Sequence, residues 1–91
     1  MSTQIKISEK IHPNLGMNQA AKELFDEINL DDNDEIVIDF SDVIFMSRSF
    51  TQEYLFQKLT SNKQIVELNV PDDVQKMFDV VSKDFHGGSK N

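Results

Sequence analysis

The 91-residue sequence contains no cysteine. That absence excludes a disulfide framework, a thiolate metal site and a cysteine nucleophile, and it suits a reducing compartment. No apolar run approaches the roughly 18 residues of a membrane span, and Met1-Ser2-Thr3-Gln4 lacks the charged and apolar regions of a signal peptide. These absences predict a soluble, cytoplasmic protein without membrane attachment. Basic residues are scarce: nine Lys and Arg stand against sixteen Asp and Glu, for a net charge of -7. The lysines are scattered from Lys6 to Lys90, so nucleic acid and anionic membranes would be repelled, leaving protein partners or small ligands. Glycine is also sparse, and neither a Gly-rich phosphate loop nor a zinc-ligand spacing occurs.

What is present suffices for one core. The chain is 38% hydrophobic with seven Phe and 27% charged, a balance that argues against disorder. A chain this short buries only about 60% of its unfolded surface, so two separate cores are implausible. The reading is a single domain over residues 1–86 and a flexible tail over 87–91, Gly87-Gly88-Ser89-Lys90-Asn91.

Periodicity places the elements. Thr3 to Ser8 alternates polar and apolar, an edge strand with Ile5 and Ile7 on one face. His12-Pro13-Asn14 is a connection, and Gly16 helps the chain enter a helix whose stripe is Met17, Ala20, Ala21, Leu24, Phe25 and Ile28. Asn29 to Glu35 ends that helix. Its acidic residues invite a calcium-loop reading, but counting from Asp31 puts Ile36 at the sixth position and Asp42 at the twelfth, where the loop requires Gly and Glu. A solvated turn fits better. Ile36, Val37 and Ile38 form a short β-branched run, read as a central strand covered on both faces. Ser49, followed by Gln52 and Glu53, signals a helix start, with Phe50, Tyr54, Leu55 and Leu59 toward the core and Phe56 off that face. Gln64 to Val70 is a further strand. Pro71 with Asp72 and Asp73 opens a last helix carrying Val74, Met77, Phe78, Val81 and Phe85 inward. The alternation predicts an α/β fold with a mostly parallel sheet of three to four strands packed by about three helices.

Ligands of open α/β sheets bind beyond the carboxyl ends of the strands. Here those are the loops after Phe40 and Val70 and the start of the Ser49 helix, where Asp39, Asp42, Ser47, Arg48 and Ser49 are expected to approach one another. Arg48 is expected to pair with Asp42, Asp39 or a bound phosphate. Asp39 has two readings: it orients the Ser47 to Ser49 loop, or it accepts loop N–H groups. Phe50, Glu53 and Phe56 complete the candidate partner-binding set, Phe50 also belonging to the core stripe. Ser49 stands at a helix N-terminus that favours negative charge and caps it. Ser49 has no histidine near it in sequence, since His12 precedes Pro13 and His86 lies at the far end, so no enzyme is expected and no cofactor or metal is assigned.

Residues 36 to 60 carry a strand ending Asp39-Phe40, the run Val43-Ile44-Phe45, the turn Ser47-Arg48-Ser49-Phe50 and a helix continuing Gln52-Glu53-Tyr54-Leu55. This stretch resembles the STAS-like family of small bacterial domains of uncharacterised function, related to the anti-anti-sigma factors. A weaker likeness, Gly16 leading into an amphipathic helix, extends it toward residue 15. The resemblance implies a small STAS-like (βα) repeat and a non-enzymatic regulatory module that binds a protein partner, an anti-sigma-like kinase among the candidates. It makes Ser49 the counterpart of the serine phosphorylated in those relatives, with Ser47 as a second acceptor. The relatives read Asp-Ser-Ser-Gly where this chain has Ser47-Arg48-Ser49-Phe50, which puts recognition by such a kinase in question. STAS-type domains elsewhere bind small ligands or nucleotides near the same surface, so a sensor of such molecules is the alternative function.

Overall fold

A computed structural model describes residues 1–88, with side chains through Asp84. The elements run β1 (Ser2–Lys6), α1 (Ile7–Lys10), β2 (Asn14–Leu15), α2 (Asn18–Asn29), β3 (Glu35–Asp39), β4 (Phe45–Met46), α3 (Arg48–Thr60), β5 (Gln64–Leu68) and α4 (Asp72–Gly88). The α/β architecture is the expected one. The main sheet is parallel, in the order β1-β3-β5, and a two-stranded parallel sheet joins β2 to β4. No described helix is long and apolar enough to cross a membrane. Gly87 and Gly88 of the expected tail fall within α4. Its remainder, and the side chain of Phe85, lie outside the described residues.

The pleat decides which face carries the core. Ile36 and Ile38 alternate to one side of β3 and are fully buried, in register with Thr3 and Ile5 of β1 and with Ile65 and Glu67 of β5. Against this side sit Ala21, Leu24, Phe25 and Ile28 of α2, Phe50 and Tyr54 of α3, and Val74 and Phe78 of α4. The other side of the sheet presents Gln4, Val37, Val66 and Leu68. Val37 and Val66 are only half-buried there and Leu68 is exposed, so among the described residues the expected cover on both faces of β3 is absent. A sheet layered by helices on one side hides alternate residues of its central strand, not all of them.

Three local expectations change. The first strand stops at Lys6, and Ile7 turns into the one-turn α1, where it is fully buried. Met17, placed on the α2 stripe by spacing, sits one residue before the helix and is exposed. Leu59, placed in the core, is also exposed, because the inward face of α3 follows Phe50, Thr51 and Tyr54 and ends in half-buried Lys58. The acidic turn after α2 is held by hydrogen bonds. Asp31 accepts from Thr3 Oγ1 at 2.9 Å and from the Asn33 N–H at 2.8 Å. The Lys63 ammonium donates to the carbonyls of Asp31 and Asn33 at 2.6 and 2.8 Å, occupying the inner side of the loop.

At the centre stands Tyr54. Its ring meets Phe25, Phe40 and Phe78 with centroids 5.4 to 5.8 Å apart and stacks on Phe50 at 6.3 Å, distances at which aromatic pairs attract beyond their buried area. Its hydroxyl donates to Glu67 Oε2 at 2.6 Å, and Lys58 reaches the same oxygen at 3.1 Å. Burial, then the charge of Glu67, push the phenol pKa well above its ordinary value, so it stays a donor. Tyr54→Phe keeps the packing but loses this charged hydrogen bond, a cost of about 1.5–3 kcal/mol. Tyr54→Ala also opens a cavity, for about 3–5 kcal/mol. Urea denaturation of the two variants measures the difference.

Candidate functional site at the start of α3

The short β2–β4 ladder sets the entry to α3. Leu15 and Met46 turn inward and are buried, while their neighbours Asn14 and Phe45 point out. The N–H groups of Ile44 and Ser47 bond the carbonyls of Pro13 and Leu15, each at 2.9 Å. The connection expected at His12-Pro13-Asn14 therefore feeds a strand. Ser47 is locked next: its hydroxyl donates to the Gly16 carbonyl at 2.9 Å and accepts from the Phe50 N–H at 3.0 Å. The carbonyl is what Gly16 contributes, since a Cβ there would meet nothing within 4 Å and its φ is not positive.

Ser47, not Ser49, is thus the N-cap, and α3 begins at Arg48. Spacing to Gln52 favoured Ser49, but the tertiary bond to Gly16 fixes the cap two residues earlier. Thr51 strengthens the same turn, its N–H and hydroxyl both bonding the Ser47 carbonyl, at 3.0 and 2.7 Å. Ser49 consequently lies inside the first turn with its side chain exposed. Negative charge there faces the positive end of the helix dipole.

The polar residues expected to converge form two groups. One lies at the carboxyl end of the sheet, where Lys6 and Asp39 close β1 and β3 in register. Asp42 and Asn69 adopt left-handed conformations, φ 66° and 55°, which Asp and Asn tolerate better than most residues. Asp42 turns to the Lys6 ammonium at 2.8 Å, a contact that raises the Lys6 pKa. Asp39 Oδ1 accepts the Ser41 N–H at 2.9 Å and the Asn69 amide at 3.1 Å. The Ser41 bond chiefly, then that of Asn69, hold its carboxyl below the ordinary range. Asp39 therefore anchors the loops after β3 and β5, and its hydrogen bonds do not reach Ser47 to Ser49.

The second group is at α3. Arg48 pairs with Asp84 of α4 instead of Asp39 or Asp42, because α3 packs against α4, which also packs on β4. Ser49, Glu53 and Phe56 share the outward side of the helix at steps of four and three. Phe56 is 54% exposed, and Phe45 and Ile44 are 51% and 74% exposed at the foot of the same helix. Glu53 is half-buried and accepts from Gln57 at 2.8 Å. Phe50 is fully buried and leaves the partner-binding set, since its ring stacks on Tyr54. Ile44, Phe45, Lys6, Asn69 and Asp84 were not singled out by sequence. The first two were hidden in the run Val43 to Met46, where Val43 and Met46 point in and the middle pair points out. His12 Nδ1 accepts the Asn14 N–H at 3.0 Å; the side chain of His86 lies outside the described residues.

Fold and site together define a parallel α/β domain with an exposed serine in a capped helix start and uncovered apolar side chains on the same helix and on the segment leading into it. No family model, curated protein or solved structure matches the chain.

The cap assignment separates two serines. Ser47→Ala should cost about 1 kcal/mol in chemical denaturation and Ser49→Ala less than about 0.5 kcal/mol; the reverse order would restore Ser49 as the cap. Asp39 has a depressed folded pKa, so its contribution is present above the ordinary value of 3.8 and fades as pH falls through the lower folded value. Asp39→Asn should therefore melt below wild type at neutral pH. Its Tm should converge with that of wild type as pH drops below 3.8.

Proposed function

We propose that this domain is a non-enzymatic regulatory module that captures a protein partner on the surface made by β4 and the outward side of α3, and that phosphorylation of Ser49 gates the capture. The reading rests on the STAS-like resemblance of residues 36 to 60, and one structural observation carries it. Ser49 is exposed in the first turn of α3, on the helix side that carries Phe56 and just after the segment with Ile44 and Phe45, large apolar side chains left half or more uncovered. Large exposed apolar side chains are a common basis of protein docking.

Phosphate on Ser49 would add about -1.5 to -2 units of charge at the helix end where charge is tolerated. The fold would survive while an apolar or acidic partner surface was rejected. Ser47 suits that role less well, because its hydroxyl is committed to Gly16 and Phe50 and modification would break the cap. The Ser47-Arg48-Ser49-Phe50 turn departs from the relatives' Asp-Ser-Ser-Gly, and with Arg48 drawn to Asp84 a kinase would meet a different first turn. Asp39 and Asp42 outnumber Lys6, the cation beside them at the carboxyl end of the sheet, and the remaining negative charge weighs against the alternative of an anionic nucleotide there.

Affinity capture from the native host, followed by reconstitution with the recovered protein, tests the reading. Ser49→Asp should abolish binding with an unchanged melting curve, Ser49→Ala should bind normally, and Phe56→Ala should weaken binding about tenfold, or about 1.4 kcal/mol. Undiminished binding by Ser49→Asp would remove the switch. Undiminished binding by Phe56→Ala together with Phe45→Ala would remove the surface.

A further inference from the structure

Ser49 is exposed, but the sequence on either side of it is not. Before it, Met46 is buried and Ser47 is held by other segments: its N–H bonds the Leu15 carbonyl at 2.9 Å, and its hydroxyl joins the Gly16 carbonyl and the Phe50 N–H at 2.9 and 3.0 Å. After it, Phe50 and Thr51 are fully buried. Phe50 stacks on Tyr54, and Thr51 bonds the Ser47 carbonyl through both its N–H and its hydroxyl. Arg48 is drawn to Asp84 of α4. The surface neighbours of Ser49 are set by the helix instead: Gln52 and Glu53 lie three and four positions along the same side.

An enzyme that reads a linear motif lays the substrate chain out extended, so that alternate side chains enter its pockets. For Ser49 that demands opening the first turn of α3. The cap is lost and Phe50 leaves the core, and withdrawal of a buried Phe side chain makes such an open form rarer by roughly a hundredfold or more. Taken on the folded helix, the serine requires no opening.

We propose that the enzyme phosphorylating Ser49 recognises the folded domain and takes the serine on its helix, while buried Phe50 and the Ser47 cap shield Ser49 from kinases that read linear motifs. The inference rests on the phosphorylation proposed above and specifies the class of enzyme that delivers it. In the transfer, Ser49 Oγ bonds the γ-phosphorus of ATP as the bond to the departing ADP breaks, and the hydroxyl proton passes to a base of the enzyme.

Three substrates test it: the whole domain, a synthetic peptide of residues 44–55, too short to hold a helix alone, and full-length Tyr54→Ala, whose loss of fold is read from its melting curve. Each is incubated with ATP, and phosphate on Ser49 is measured by site-resolved mass spectrometry. An extract of the native host should modify the whole domain about tenfold faster than the peptide or Tyr54→Ala, a difference of the size that one lost docking contact produces. A purified linear-motif kinase that accepts arginine before serine should show the reverse order, with the domain roughly a hundredfold slower than the peptide. Ser47→Ala should speed that kinase on the domain about fivefold, the factor by which loss of a cap eases opening. Domain and peptide modified at like rates by either source, or no response to Ser47→Ala, would overturn the inference and leave the gate at Ser49 standing. A domain left unmodified at Ser49 by the extract, whatever happens to the peptide, would remove the gate and this inference with it.

Discussion

Tyr54 holds the layers of this domain together. Its ring is packed by aromatic residues from α2, from the end of β3, from its own helix and from α4, while its hydroxyl reaches across to β5 through Glu67. A fully buried phenol needs a hydrogen-bond partner, and a carboxylate beside an apolar core needs a counter-charge. Lys58, one turn further along α3, supplies it. This network fixes the rotation of α3 about its axis, and with it the choice of residues turned to solvent.

That rotation produces the site. With Phe50, Thr51 and Tyr54 inward, Ser49 and Phe56 must face out. The ladder between β2 and β4 then sets the height of the helix start, since Ser47 is held by Leu15 and Gly16 before it caps the first turn. Capping and exposure are divided between two serines. The one that stabilises the helix is committed to the fold, and the one beside it is free to meet another molecule. The opposite end of the polar set serves the loops instead, with Asp39 joining the turns that follow β3 and β5.

Much of the fold was legible because it depends on local pattern. The α2 stripe, the β-branched run Ile36 to Ile38, the acidic start of α4 and the alternation of strand and helix all follow from side-chain period and end chemistry. Legibility failed where spacing was ambiguous. Val43 to Met46 looks uniformly apolar, and nothing local tells that its ends are buried and its middle exposed. Ser47 and Ser49 are both acceptable caps, and a distant carbonyl chooses between them. Arg48 had acidic candidates at hand in Asp39 and Asp42, but its partner is Asp84, 36 residues away.

By itself the sequence determined an acidic, cysteine-free α/β domain with a serine-rich turn leading into a helix, because charge, composition and periodicity are properties of the chain before it folds. Only the tertiary structure decided which serine caps that helix and which apolar residues remain uncovered. Each of those depends on what lies across from a residue, and contacts between segments distant in sequence leave no periodic trace along the chain.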